Sequence, residues 1–160
     1  MVNPSGRHFI DGVDLWTNYG MIVESGSDDF LKFPARKDSI THDWQDANGQ
    51  DVDLSRVFFE DRDITLQMAI IVQDKATFWA NWKAFMAMWA QPGTRRLTIA
   101  EFEQSFFVFY KSCSAFTRFT RILEVDKIAC KFTIVVNEPA PTFDNTDVFI
   151  VDEDGRFLVT

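Results

Sequence analysis

Residues 74–91 have the sequence DKATFWANWKAFMAMWAQ, and this stretch decides the fold. Its large apolar residues recur at the spacing of one helix face, with about 3.6 residues per turn; they are Phe78, Trp79, Trp82, Phe85, Met86 and Trp89. Asp74 can accept hydrogen bonds from the free N–H groups of the first turn, and Pro92-Gly93 ends the run. The pattern therefore predicts one amphipathic α-helix over about residues 75–91, packed on strands by its aromatic face.

The opposite face of this predicted helix carries little charge. Lys83 is its only charged residue after Lys75, and the other residues are Ala80, Ala84, Ala87, Met88 and Gln91. A helix on a monomer surface usually turns charged side chains to water. Two interpretations stay open: a second surface covers this face, or alanine is there as the best helix former, with an advantage of only ~0.5 kcal/mol per residue.

Most of the remaining chain has patterns typical of strands. Residues 64–72 alternate apolar and polar side chains, as in a strand buried on one face. Further strands are predicted at 7–10, 13–16, 19–24, 30–33, 57–59, 95–102, 105–110, 116–123 and 128–136. Residues 106–110 are apolar at every position, which predicts a strand covered on both faces. These patterns indicate an α+β fold, mainly β, with one helix packed on strands.

Two segments are predicted to form hairpins outside this body. Residues 34–56 are rich in aspartate, and Asn48-Gly49 is a strong signal for a two-residue turn, so we expect an exposed, mobile hairpin loop. Trp44 lies within it, and an exposed aromatic among polar neighbours is a common interface anchor. Near the chain end, two short apolar runs predict a second hairpin. The expected organisation is a β domain (1–143) with a C-terminal hairpin extension (144–160).

Composition and charge exclude several classes of protein. The chain has 160 residues, 46% of them hydrophobic, and a net charge of −8, which argues for a packed core and against general nucleic-acid binding. The acids are concentrated towards the two ends, and the middle is mildly basic. Arg118, Arg121, Lys127 and Lys131 form either a basic patch or an ordinary solvated strand face. Opposite charge on different parts of one chain also suits head-to-tail contacts between copies.

The residues needed for catalysis or ligand binding are scarce. There are two histidines, no nucleophile motif and seven glycines without a phosphate-binding loop, so we expect a protein that is not an enzyme. The acidic clusters lack calcium-loop spacing, and Cys113 and Cys130 lack metal-ligand spacing. We therefore expect no catalytic, cofactor-binding or metal site. No apolar run long enough to span a membrane and no signal peptide is visible, so we expect no membrane partner.

The order of the elements resembles that of a known family. The strings that carry the resemblance are Phe9-Ile10-Asp11-Gly12-Val13-Asp14, Tyr19-Gly20, Arg62-Asp63-Ile64-Thr65-Leu66, the helix with Phe78, Trp82 and Phe85, Gln91-Pro92-Gly93, Leu97-Thr98-Ile99 and Glu138-Pro139. In this order they resemble the N-terminal domain of bacteriophage distal tail proteins and, more broadly, the tail-tube and tail-hub family. The resemblance covers about residues 7–143.

The resemblance implies a β-sandwich or split barrel flanked by one amphipathic α-helix. It also implies a virion structural protein of a phage or prophage tail, made in the cytoplasm of the bacterial host. It implies six copies in a ring around a channel that DNA crosses passively, with neighbouring tail proteins as further partners. We expect the subunit interface to use Ala80, Ala84, Ala87, Met88 and Trp44. We expect an acidic loop, either lining the lumen or docking the next ring, at Asp43, Asp46, Asp51 and Asp53. The alternative function is a monomeric β-barrel module that binds a small molecule or glycan beneath the helix.

Overall fold

The computed structural model describes residues 3–123 and 126–142 of the chain. The C-terminal hairpin expected over 144–160 lies outside the described residues. Within them the strands are β1 (His8–Ile10), β2 (Val13–Asp14), β3 (Met21–Ser25), β4 (Thr41–His42), β5 (Asp51–Val52), β6 (Arg62–Val72), β7 (Arg95–Ile99), β8 (Gln104–Arg118) and β9 (Ile128–Glu138). The α-helices are α1 (Leu15–Tyr19) and α2 (Lys75–Trp89), and short 3-10 helices lie at Ser27–Leu31 and Ala100–Phe102.

Seven of these strands form one antiparallel sheet in the order β2-β1-β7-β8-β9-β6-β3. Its centre is the pairing of β6 with β9, which runs without a break from Arg62 opposite Glu138 to Val72 opposite Ile128. Strands β4 and β5 form a separate two-stranded sheet. The predicted fold class, α+β and mainly β, is confirmed.

The core lies between one face of this sheet and helix α2. Alternate residues of β6 are buried, as the sequence pattern predicts; they are Ile64, Leu66, Met68 and Ile70. The matching residues of β9 are also buried; they are Ile128, Cys130, Phe132, Ile134 and Val136. Because each fully buried large apolar side chain contributes ~1.5–3 kcal/mol, this central pair of strands supplies a large share of the stabilisation.

Helix α2 begins and packs as its sequence predicts. The Asp74 side chain accepts a hydrogen bond from the Thr77 N–H at 2.8 Å, which caps the first turn. Phe78, Phe85 and Trp89 are buried, and the ring of Trp82 meets that of Phe132 edge-on at 5.1 Å.

Two members of the predicted aromatic stripe, Trp79 and Met86, are exposed instead of packed. At ~100° per residue they lie about 100° and 80° from Phe78, at one margin of the apolar arc. Residues at the side of such a wide apolar face extend beyond the sheet and are not covered by it, which explains the difference. Trp79 and Met86 therefore form an exposed apolar strip beside the alanine face.

Some short elements differ from the sequence predictions. Leu15, Trp16 and Tyr19, expected to be in strands, lie in the one-turn helix α1, because Asp14 accepts from the Trp16 N–H at 2.9 Å and Gly20 adopts a left-handed conformation at φ 63°. Residues 30–33 were also predicted as a strand. Instead, Phe30 lies in a 3-10 helix, is buried, and stacks on Phe106 at 4.3 Å. In both places a local cap or a ring contact outweighs a weak strand pattern.

The two strands predicted at 105–110 and 116–123 are one continuous strand, β8. Two irregularities in its pairing with β9, at Tyr110/Ser112 and at Cys113/Ala115, absorb the break in alternation. The prediction that this strand is covered on both faces is wrong. Val108 is buried, whereas its neighbour Phe107 is 59% exposed, so one face of β8 is bare.

Candidate interaction surfaces

A long hairpin projects from the sheet between the 3-10 helix after β3 and the start of β6; we call residues 35–61 the arm. Its two sides pair through backbone hydrogen bonds from Glu60 N–H to the Ala35 carbonyl and from Lys37 N–H to the Phe58 carbonyl, both at 2.8 Å. Every residue of the arm is exposed except Ser39, which is half-buried. The arm therefore receives almost no cover from the rest of the described chain.

The tip of the arm differs from the predicted two-residue turn at Asn48-Gly49. Strands β4 and β5 are joined by residues 43–50, and the turn closes where the Ala47 N–H donates to the Trp44 carbonyl at 3.1 Å. Gly49 adopts a left-handed conformation at φ 80° within this longer loop. The Trp44 ring rests against His42 with centroids 3.9 Å apart, and this local contact favours the wider loop.

The arm exposes a row of large apolar side chains. Ile40 is 80% exposed and Trp44 is 53% exposed. Val52, Leu54, Val57 and Phe58 are exposed as well. Several large apolar side chains exposed on one projecting element indicate an interaction site.

The arm also carries the predicted acidic residues, all exposed: Asp43, Asp46, Asp51 and Asp53. The first two lie in the tip loop, Asp51 lies in β5 and Asp53 follows it. Within the described residues, none of these four carboxylates has an ion-pair partner. The structure therefore gathers them on one element, as predicted, and leaves their charge uncompensated.

A polar cluster at the ends of β6 and β9 anchors the base of the arm. Arg62 forms an ion pair with Glu138 at 2.5 Å, and their side chains are only 11% and 7% exposed. The Arg62 guanidinium also donates to the Lys32 carbonyl and lies over the Phe30 ring. These three contacts of one side chain fix where the arm leaves the sheet.

A second set of contacts in this cluster involves the residues next to Arg62 and Glu138. Asn137 Nδ2 donates to Asp61 and Asp63 at 2.5 and 2.8 Å, and Lys111 pairs with Asp63 at 2.6 Å. The hydrogen bonds from Lys111 and then from Asn137 hold the pKa of Asp63 below its usual value. The sequence analysis missed this cluster. The only available signal was the pair of charges at the start of β6 and the Asn-Glu at the end of β9.

The alanine face of α2 is open. Ala80, Ala84 and Ala87 are exposed, whereas Met88 is half-buried and packs against the chain's own core. Trp44, the remaining predicted interface residue, lies on the arm and not on the helix. The predicted interface residues therefore belong to two different elements.

Strand β8 presents a further open surface along one of its edges. Residues 109–118 pair with β9 on one edge, but β7 pairs only with residues 104–108 on the other. No strand within 3–123 or 126–142 pairs with the rest of that edge, and every residue from 111 to 119 is exposed. We call residues 111–118 the open edge of β8.

A polar cleft of about 620 Å³ separates β1 from β3. It is lined in part by Arg7, His8, Glu24, Ser27 and Glu101. His8 Nε2 is 3.1 Å from Ser27 Oγ, and burial, with the nearby Arg7 charge as a smaller cause, lowers the pKa of His8. The cleft is open, and among the described residues His8 has no hydrogen bond to a carboxylate that would orient its ring as a base for Ser27. No group of His, Cys, Asp or Glu side chains in the described part of the chain is arranged to hold a metal ion.

Comparison with known proteins gives a similarity in structure. No family model matches the chain, and no curated protein matches it. A similar solved structure is that of SPP1 Dit (gp 19.1), described as a paradigm of the hub adsorption apparatus in Gram-positive infecting phages. The TM-score is 0.51 at 10% sequence identity, over 84% of this chain and 52% of that one.

The similarity shows a fold related to that of a phage tail protein, and it supports the resemblance to distal tail proteins at that level. The chain spans about half the length of the structure it matches. Among the described helices, none is long and apolar enough to cross a membrane.

Proposed function

We propose that the protein is a structural subunit of a phage or prophage tail, of the distal-tail or tube type, that assembles with copies of itself into a ring around the DNA channel. The fold similarity supports the class of protein, and the exposed arm supports assembly. In this proposal six copies form the ring, neighbouring tail proteins stack on it, and the assembled virion tail is where the protein acts. The role is structural and not catalytic.

The observation that carries the proposal is the exposure of the arm's apolar side chains. Burying three of them, such as Ile40, Trp44 and Leu54, against a partner would contribute ~5–9 kcal/mol before the entropy of association is subtracted. No surface of the described chain covers them. A partner surface is the simplest way to remove them from water.

The acidic charge of the arm is compatible with a channel for DNA. Carboxylates of the arm that stay unpaired in the ring, such as Asp51 and Asp53, would repel the phosphate backbone, so DNA would slide past without sticking. In this proposal the passage of DNA is passive, and no residue recognises a base or a phosphate.

The contacts beneath α2 do not favour the alternative of a binding module with the helix as a lid. Phe78 and Phe85 are fully buried there, and the Phe85 ring meets that of Phe132 at 6.1 Å. Side chains therefore occupy the space that a ligand would need.

The proposal is tested by measuring the mass of the purified full chain by light scattering and sedimentation as its concentration is raised, with electron microscopy of the largest species. We expect a discrete oligomer with ring-shaped particles. Replacing Ile40 and Leu54 together by serine should shift the protein to monomers, whereas the exposed control Gln73→Ser should not. A chain that stays monomeric at all concentrations, and in the presence of a mixed tail-protein lysate fraction, would overturn the proposal.

A further inference from the structure

We propose that the arm of one copy docks along the open edge of β8 in the next copy, adding its strands to that edge; this inference rests on the proposed function. An unpaired strand edge presents a row of backbone N–H and C=O groups that readily accept another strand. The open edge offers such a row over residues 111–118. The arm is an extended ribbon on which Ile40, Trp44 and Leu54 are exposed.

The charges of the two surfaces are complementary. Arg118, Arg121 and Lys127 lie at the far end of the open edge, and within the described residues none of them has an ion-pair partner. The arm tip carries Asp43 and Asp46 in the same unpaired state. Docking would bring two uncompensated clusters of opposite sign together, which steers the encounter and fixes its direction.

Both surfaces are also apolar close to their charges. Phe116 lies on the open edge and Phe119 follows it, and both are exposed. The Phe116 ring already contacts the Trp82 ring of α2 edge-on. The arm brings Trp44 and Leu54, which are exposed on the ribbon. Contact between these residues would bury aromatic surface at the centre of the interface and leave the charges at its rim, as in most specific interfaces.

The register of the sheet argues for contact between copies. The arm enters β6 at Arg62, opposite Glu138, whereas Arg118 lies opposite Cys130 at the other part of β9. At ~3.4 Å per residue, these positions are about 27 Å apart along the strand. The base of the arm and the basic residues that would receive its tip therefore lie towards opposite ends of strand β9. A head-to-tail contact that repeats in this way closes into a ring when the rotation between subunits permits.

The native Cys113 lies on the open edge, is exposed and provides the probe. A chain carrying Gln50→Cys and Cys113→Ser would be mixed with wild-type chain and treated with a short bis-maleimide. We expect a cross-linked dimer that contains one chain of each kind and joins residue 50 to Cys113. The matched control carries Gln73→Cys with Cys113→Ser and should give no such product. If an assembled oligomer gives no product that joins residue 50 of one copy to Cys113 of another, the docking is refuted.

A charge exchange separates the docking from the ring itself. Arg118→Glu with Arg121→Glu should weaken assembly about tenfold, and Asp43→Lys with Asp46→Lys in the mixed partner should restore it. If oligomers form with unchanged affinity in the arginine variant, the docking is wrong while the proposed ring stands. If the wild-type chain itself never assembles, both the docking and the proposed ring are wrong.

Discussion

The buried ion pair at the base of the arm supports a sharp prediction about stability. Glu138→Ala removes the only carboxylate that pairs with Arg62 in the described residues and leaves a guanidinium that is 11% exposed. Removing one partner of a buried pair costs ~3–5 kcal/mol. Arg62 keeps the Lys32 carbonyl and the Phe30 ring, which lower the loss, so we expect the free energy of unfolding to fall by about 2–4 kcal/mol.

Two further variants isolate the cause. Lys111→Ala breaks an ion pair with Asp63 in the same cluster, but those side chains are 50% and 45% exposed, so the loss of stability should be much smaller than that of Glu138→Ala. Arg62→Met with Glu138→Leu removes both buried charges and should recover most of the stability.

Urea denaturation followed by tryptophan fluorescence gives the free energies, and the slope with urea concentration should be unchanged. Similar losses for Glu138→Ala and Lys111→Ala would refute the assignment of the effect to burial. A double variant as unstable as Glu138→Ala would refute it as well.

Three more predictions follow from other sites. Ala84→Glu should weaken oligomer formation in sedimentation experiments and leave the urea midpoint unchanged, because Ala84 is exposed in the subunit. The control Ala84→Ser should change neither oligomer formation nor the urea midpoint. Because burial lowers the pKa of His8, the unfolded chain binds the proton more tightly, so stability should fall as the pH drops below about 6.5, and His8→Asn should abolish that part of the loss. Gly26→Ala should lower the free energy of unfolding by about 2 kcal/mol or more, measured by thermal unfolding. At this position φ is +102° and the added Cβ would lie 2.0 Å from the Thr65 carbonyl oxygen.

Each of these predictions has an outcome that would contradict it. Unfolding of the subunit by Ala84→Glu would place that residue in the core. An unfolding midpoint that is flat between pH 7 and pH 5.5 would contradict the assignment to His8. Unchanged stability of Gly26→Ala would contradict the close contact of Gly26 with the Thr65 carbonyl.

The long elements were predictable because their patterns are strong over many residues. Strand β6 alternates buried and exposed residues from Ile64 to Met68, and α2 has a cap at Asp74 and a stop signal at Pro92-Gly93. Such patterns constrain one face along the whole element, so tertiary context has little to change.

The missed features depend on single contacts that sequence spacing does not encode. Helix α1 depends on the bonds that Asp14 makes to Ser5, Gly6 and Trp16, and the wide arm tip depends on one ring contact of Trp44. The cluster at the base of the arm joins residues 74 and 76 positions apart. No local signal reports such pairing. The face of β8 left bare was also unpredictable, because an apolar run is compatible with cover by the same chain or by another.

The charges of the arm also bear on how an isolated subunit avoids aggregation. An exposed ribbon with Ile40, Leu54 and Phe58 would be expected to pair with other ribbons of its own kind, which is the usual hazard of unprotected strand edges. Aspartates at the tip oppose that pairing, because two arms would bring like charges together. In the proposed docking the same aspartates favour the basic end of β8, so one set of charges would both oppose the wrong contact and select the right one.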